Sequence, residues 1–212
     1  INSETDFAAK SETFLNFIDF LGNAALSNNN YNISKEEFLE YDYKDKKISE
    51  YFTEMIAKIG ENLVLSEIVF FDLNNSKTSH YVHNSYKENI GKIVSILQFN
   101  SNKIDEKLST DIKNICMHIA AMKPESLDIE DLDKNLIENE KNIQKDLIKS
   151  SGKPEAIIEK ILDGKMKKFY SDITLLNQSF VIDPDKTVGD IINNYSSEYS
   201  LKIVTFKLFN LS

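Results

Sequence analysis

A chain of 212 residues, 41% hydrophobic and 28% charged, is long enough to bury one large core or two small ones and too apolar to be a disordered tail. Its formal charge of −9 disfavours direct nucleic-acid binding, which needs a positive footprint to release counterions from phosphates. No apolar run approaches the length of a bilayer span and no basic flank precedes an apolar segment at the start, so neither a membrane protein nor an exported one is expected.

The chain contains no arginine while Lys, Asn and Ile abound, a codon bias that points to an AT-rich genome and says nothing of chemistry. The lone cysteine, Cys116, cannot form an internal disulfide and fits a reducing compartment. The first stretch of interest is Asn2-Ser3-Glu4-Thr5-Asp6-Phe7-Ala8-Ala9-Lys10. Thr5 or Asp6 is a natural helix cap, and Phe7 then has two readings: the start of the helix's core face, or an exposed ring beside an acid. Behind Ser11, a second cap, Phe14, Leu15, Phe17, Ile18 and Leu21 recur at helical spacing. The segment from Asn28 to Asp45 reads as a loop, with one short helix behind the capping box Ser34-Lys35-Glu36-Glu37. Ile48, Phe52, Met55, Ile56 and Ile59 predict an amphipathic helix ended by Gly60.

Beyond Gly60 the pattern changes to strand. Leu63 to Leu73, His80 to His83 and Ile93 to Phe99 are rich in β-branched and aromatic residues and predict a three-stranded antiparallel meander. A helix is expected from Asp111 to Met122, closed by Lys123-Pro124. On it, Ile112, Ile115, Cys116 and Ile119 form the buried stripe, and His118 falls about 110° from its centre, on a half-exposed flank. Leu132, Leu136, Ile143 and Leu147 make one apolar seam, and Ile158, Leu162, Phe169 and Ile173 another, with Ser151-Gly152-Lys153-Pro154 between them. That pattern predicts an antiparallel helical hairpin, polar enough to project as a coiled-coil arm or dimerisation element. Asp185 to Tyr195 reads as a short helix, and Leu201 to Leu211 as a strand, alternating through Val204, Phe206 and Leu208, that must join a sheet.

Catalytic chemistry has little to stand on. His80 and His83, three apart on a strand, would point to opposite faces, so no metal is expected. Gly152-Lys153 lacks the first glycine and the hydroxyl residue of a phosphate loop, since Leu147 and Pro154 stand there. Cys116 reads as a core thiol, and no acid pair is framed by pocket-like sequence. No enzyme activity and no cofactor are expected.

A family resemblance joins these pieces. Thr5-Asp6-Phe7-Ala8-Ala9 resembles the Thr-Asp-Phe-Val-Ala motif of translation elongation factor Ts, the nucleotide-exchange factor for elongation factor Tu. Gly60-Glu61-Asn62, Tyr81-Val82-His83, Met117-His118-Ile119-Ala120-Ala121, Gly152-Lys153-Pro154-Glu155, Lys167-Lys168-Phe169-Tyr170 and Phe180-Val181-Ile182-Asp183-Pro184 match further stretches of that family in the same order. The resemblance implies an α+β fold of two related subdomains, each a small antiparallel sheet with helices. These are residues 1–103 and 104–212, the second interrupted by an antiparallel coiled-coil hairpin at 130–174. It implies that Asp6, Phe7, Ala8 and Ala9 displace magnesium and GDP from the partner, with Ala8 where the family usually has Val. It implies that His118 and an Ile-Gly pair, here Ile93 and Val94, contact elongation factor Tu; Val94 in place of Gly works against close backbone approach at that point. The family's small N-terminal helical domain is not present, so a fragment of a longer protein is expected. A homodimer through the arm is left open, and the bacterial cytoplasm is the expected location, with the mitochondrial matrix or plastid stroma as alternatives. The competing reading is a structural adaptor that oligomerises through its hairpin, with Phe7 buried as an ordinary core residue.

Overall fold

Several helix starts in this chain are set by side-chain caps close in sequence. The computed structural model describes residues 1–28, 30–149 and 154–211. Thr5 stands in extended backbone and its hydroxyl accepts the Ala8 N–H, opening the short helix α1, Asp6–Lys10. Ser11 closes α1 and caps α2, Glu12–Ser27, by accepting the Phe14 N–H. Ser34 and Glu37 form the expected reciprocal box at the start of α3, Lys35–Leu39. Helix α4, Ile48–Ile59, ends at Gly60, whose φ of 81° is a left-handed turn that costs glycine nothing. Downstream, Asp105 caps α5, Glu106–Met122, so this helix opens earlier than its apolar periodicity alone suggested.

The strands needed long-range information. The stretch expected to begin a meander contributes only β4, Leu63–Val64, which pairs antiparallel with β1, Asn2–Ser3, with Asn2 opposite Val64 and Ser3 opposite Leu63. Residues 65–76 form no strand. The loop after α2 carries a small hairpin of β2, Asp42–Tyr43, and β3, Lys46–Lys47. The main sheet has β6, Ile90–Asn100, in its centre, with β5, Lys77–Lys87, on one side and β7, Lys202–Asn210, on the other. A meander would have set Leu63 to Leu73 beside the strand of His80 to His83, whereas the third strand of the sheet is the C-terminal one and lies beside β6. Its alternation also differs, since Leu201 and Ile203 are buried and Val204 is 43% exposed. Between β5 and β6 the chain reverses at Glu88-Asn89, with Asn89 at a φ of 62°, so these two strands run antiparallel. Gly91 allows the hairpin to close: a Cβ there would stand 2.6 Å from Val82 Cγ1 and 3.1 Å from the His83 carbonyl oxygen.

By its internal contacts the chain divides into two units, one of residues 1–74, 82–94 and 209–212, the other of residues 75–81 and 95–208. The first has a core of Phe14, Phe17, Leu21, Phe38, Ile48, Phe52 and Leu63, with Phe17 and Phe52 packed edge to face at 5.0 Å. The second packs α5 and α8, Val188–Tyr199, on the sheet through Leu97, Leu108, Ile112, Ile115, Cys116, Ile119, Ile192 and Ile203. Helix α8 begins later than expected, where Thr187 and Asp190 form a capping box.

Both charged segments of the second unit are helices, α6, Lys134–Lys149, and α7, Glu155–Ile173. A small cluster of Ile148, Leu162 and Met166, flanked by Ile137, Ile158, Ile161 and Phe169, joins them. The α6 seam differs from expectation: Leu136, Ile143 and Leu147 are 41%, 54% and 60% exposed. The apolar residues of α6 span an arc wider than one neighbouring helix can cover, and Ile137 and Ile148 take the covered side. The expected turn at Ser151-Gly152-Lys153 lies outside the described residues. Among the described residues no helix is long and apolar enough to cross a membrane, and no group of three or more His, Cys, Asp or Glu residues could hold a metal ion.

Candidate functional site

Helix α1 is pinned at its start and its underside. The Glu61 carboxylate accepts two hydrogen bonds from Thr5, from its N–H at 3.0 Å and its hydroxyl at 2.6 Å. Ala8 is buried on the underside, which a side chain no larger than a methyl group helps to permit. With Ala8 facing down, Phe7 turns outward and is 90% exposed, the core-face reading of Phe7 being excluded by that number. A single exposed apolar side chain is ordinary on a protein surface; this ring is set apart by the pinned helix of five residues that carries it.

Beside it, Asp6 pairs with Lys92 of β6, Oδ1 to Nζ at 2.6 Å. The hydrogen bond from Lys92, then its charge, holds the Asp6 carboxyl below its ordinary range, with Lys10 adding a smaller pull. Lys92 immediately precedes Ile93 and Val94, both half-buried, so one ion pair joins the Asp6-Phe7 turn to the strand that carries these two residues. Ala9 is half-buried next to Ala8 and its N–H bonds back to the Thr5 carbonyl. Six of the expected site residues, Asp6, Phe7, Ala8, Ala9, Ile93 and Val94, therefore belong to one unit, while His118 belongs to the other.

His118 is fully buried, which corrects its expected place on a half-exposed flank. The helix positions it away from the α5 stripe, but the segment after α7 folds over that side. Its Nδ1 accepts the Val181 N–H at 3.3 Å, which leaves Nε2–H to donate to Gln178 Oε1 at 2.9 Å. Gln178 is oriented in turn by its own Nε2, which donates to the Asp172 carbonyl. Phe180 packs against the imidazole at 5.9 Å, leaving Val181 half-buried and Ile182 53% exposed at the surface. Burial pushes the imidazole pKa down, the bond to Gln178 opposing it. The sign follows: with the folded pKa below the unfolded value of about 6.5, stability is fully present above that pH and is lost as pH falls below it. Urea melts from pH 7.5 to 5 are expected to show this decline in the native protein and a shallower one in His118→Asn; equal slopes would exclude His118 as its source.

Cys116 is buried, with its thiol pushed up to about 11, a core group and no nucleophile. Two residues that organise the site, Lys92 and Glu61, were not singled out from sequence as site residues. Glu61 lies within the Gly60-Glu61-Asn62 match, but its tie to Thr5 comes from the fold: β1 and β4 pair Asn2 with Val64 and Ser3 with Leu63, and the same register carried on sets Thr5 opposite Glu61.

The chain is mixed α and β with small antiparallel sheets, and it presents an aromatic ring on a pinned helix beside an acid paired with Lys92. The model of the family described as Elongation factor TS matches residues 4–212. A protein named Elongation factor Ts from Ehrlichia canis (strain Jake) is 39% identical over 212 residues, covering 99% of this chain and 73% of that protein. One of the same name from Rickettsia typhi is 36% identical over 204 residues, covering 96% of this chain and 65% of its own length. Another, from Ruegeria sp. (strain TM1040), is 40% identical over 188 residues, 89% of this chain and 61% of that one. This chain belongs to the elongation factor Ts family.

Proposed function

We propose that the protein is a guanine-nucleotide exchange factor in translation elongation, which binds elongation factor Tu carrying GDP and promotes release of magnesium and GDP so that GTP can rebind. The observation that carries this reading is Phe7, 90% exposed on a helix pinned by Thr5, Glu61 and Ala8. A GTPase holds its nucleotide through a phosphate-cradling loop and a bridging magnesium, so its product leaves slowly. A factor that weakens those contacts is itself weakened by nucleotide in the same ratio, each tenfold being about 1.4 kcal/mol. Factor and nucleotide therefore displace each other in turn, and the factor needs no nucleotide site of its own.

Phe7 is the wedge in this reading, entering between helices near the partner's magnesium site. Asp6 repositions the groups that support the metal, and Lys92 keeps its carboxylate ionised and aimed until the partner arrives. Ala8 and Ala9 complete the displacing segment, and Ile93 and Val94 add strand contacts. The part played by His118 runs through what it holds: its buried ring presents Val181 and the exposed Ile182. Residues 1–103 and 104–212 act as two related subdomains. Helices α6 and α7, with their private cluster, support an antiparallel coiled-coil arm over 130–174, and the exposed Leu136 and Ile143 are suited to a second copy of the chain. The location is the bacterial cytoplasm. The adaptor reading requires Phe7 in the core, and its exposure favours exchange.

Release of fluorescent GDP from the cognate elongation factor Tu tests the proposal. Catalytic amounts of the protein are expected to accelerate release at least tenfold over the spontaneous rate, and no acceleration would leave the adaptor reading in its place.

A further inference from the structure

Glu61 directs both of its carboxylate oxygens at a single residue. Oε1 accepts the Thr5 hydroxyl at 2.6 Å and Oε2 accepts the Thr5 N–H at 3.0 Å. The same hydroxyl oxygen accepts the Ala8 N–H at 3.2 Å, and the Thr5 carbonyl accepts from Ala9 at 3.1 Å. Every one of these bonds passes through the residue that starts the helix of Phe7. On its other side Glu61 follows Gly60, the left-handed end of α4, a helix anchored by the buried Ile48 and Phe52.

We propose that Glu61 is a positioning residue for nucleotide displacement, one that clamps Thr5 to the end of α4 and so fixes the direction in which α1 presents Phe7; this rests on the exchange reading above. A helix of five residues is far too short to hold its own shape in water. Ala8 contributes one small buried side chain, and Asp6 a surface ion pair that other charges can replace. The Glu61 bonds come from a rigid neighbouring helix end and reach both the backbone and the side chain of the cap, which restrains rotation of α1 about its own axis. Both hydrogen bonds of the carboxylate go to Thr5, one from each oxygen, so the contribution proposed for it is geometric.

The geometry also says which substitution spares the clamp. In Glu61→Gln the amide oxygen accepts the Thr5 N–H while the amide nitrogen donates to the Thr5 hydroxyl oxygen, which still has a lone pair for Ala8. In Glu61→Ala both links are lost. The full chain carrying each substitution, alone and with Phe7→Ala, is measured in two ways: hydrogen exchange of the Ala8 and Ala9 amides by NMR, and GDP release as a function of factor concentration, with thermal melts as folding control. Glu61→Ala is expected to speed Ala8 and Ala9 amide exchange by about tenfold and to lower the maximal GDP release rate about three- to tenfold. It is expected to add nothing in the Phe7→Ala background, and Glu61→Gln is expected to stay within about twofold of native. Unchanged amide exchange in Glu61→Ala, losses additive with Phe7→Ala, or a Glu61→Gln as impaired as Glu61→Ala would each overturn the clamp. A native protein that fails to accelerate GDP release would overturn the exchange reading alone, since the amide measurement still decides whether Glu61 holds α1.

Discussion

Phe7→Ala is expected to reduce acceleration of GDP release by an order of magnitude or more while leaving the protein as stable as before. The ring is 90% exposed, so its removal deletes almost no internal packing, and a change in unfolding free energy beyond about 0.5 kcal/mol is not expected. Binding is a different matter. Truncation of a central aromatic anchor commonly costs more than about 2 kcal/mol, and that loss falls on the complex in which nucleotide is loosened. The two measurements, GDP release and a urea melt, separate the wedge from an ordinary packing residue. If release survives the substitution, displacement runs instead through Ile93, Val94 and the turn that His118 holds. If stability falls sharply, Phe7 packs internally and the wedge is lost as an idea.

His118→Ala is expected to behave in the opposite way, with a loss of about 2–4 kcal/mol in unfolding free energy. The imidazole is fully buried and satisfies two groups at once, the Gln178 side-chain oxygen and the Val181 N–H. Removing it leaves both without a partner and opens a cavity beside Phe180. His118→Asn keeps an acceptor near Val181 and is expected to lose less. GDP release measured below the melting range separates stability from function: slower release in folded His118→Ala would tie the Val181-Ile182 turn to the partner. A melt within about 0.5 kcal/mol of native would mean that Gln178 and Val181 find other partners, and the anchoring role would fall.

Features decided by neighbours in sequence were legible before the fold was known. Thr5, Ser11, Ser34 and Gly60 end or begin helices through bonds that span a few residues, so residue type and spacing suffice. The Thr5 cap before Asp6-Phe7 was legible for the same reason, while the displacing role proposed for that stretch comes from the family resemblance, and only the fold shows Phe7 pointing outward. Pairing across long stretches was not legible. Leu63 and Val64 have the composition of a meander strand, yet Asn2 and Ser3 are the partners they meet, and β7 fills the place beside β6. On α6 the pattern marks a broad apolar arc and cannot say which side a neighbour will cover, so Leu136 and Ile143 were read as a seam and lie exposed. His118 went the same way: a helical wheel places it relative to Ile115 and Ile119, but the covering segment arrives from residues 178–181. Glu61 and Lys92 act on the motif from distant strands and ends, which spacing within the motif does not record.

The threading of the chain through the two units has a consequence for its own synthesis. The first unit takes residues 1–74, the 82–94 hairpin and the stretch from 209, and β6 waits for β7 as its second neighbour. A ribosome that has made everything up to α8 has therefore produced a central strand with one open edge, a surface prone to pairing with the wrong chain. Leu211 then closes the ladder by donating its N–H to the carbonyl of Lys92, the residue that holds Asp6. The Asp6-Phe7 segment is thus translated well before the strand that secures the residue pairing with its acid, so a nascent chain that has not yet made β7 carries the segment without its full backing.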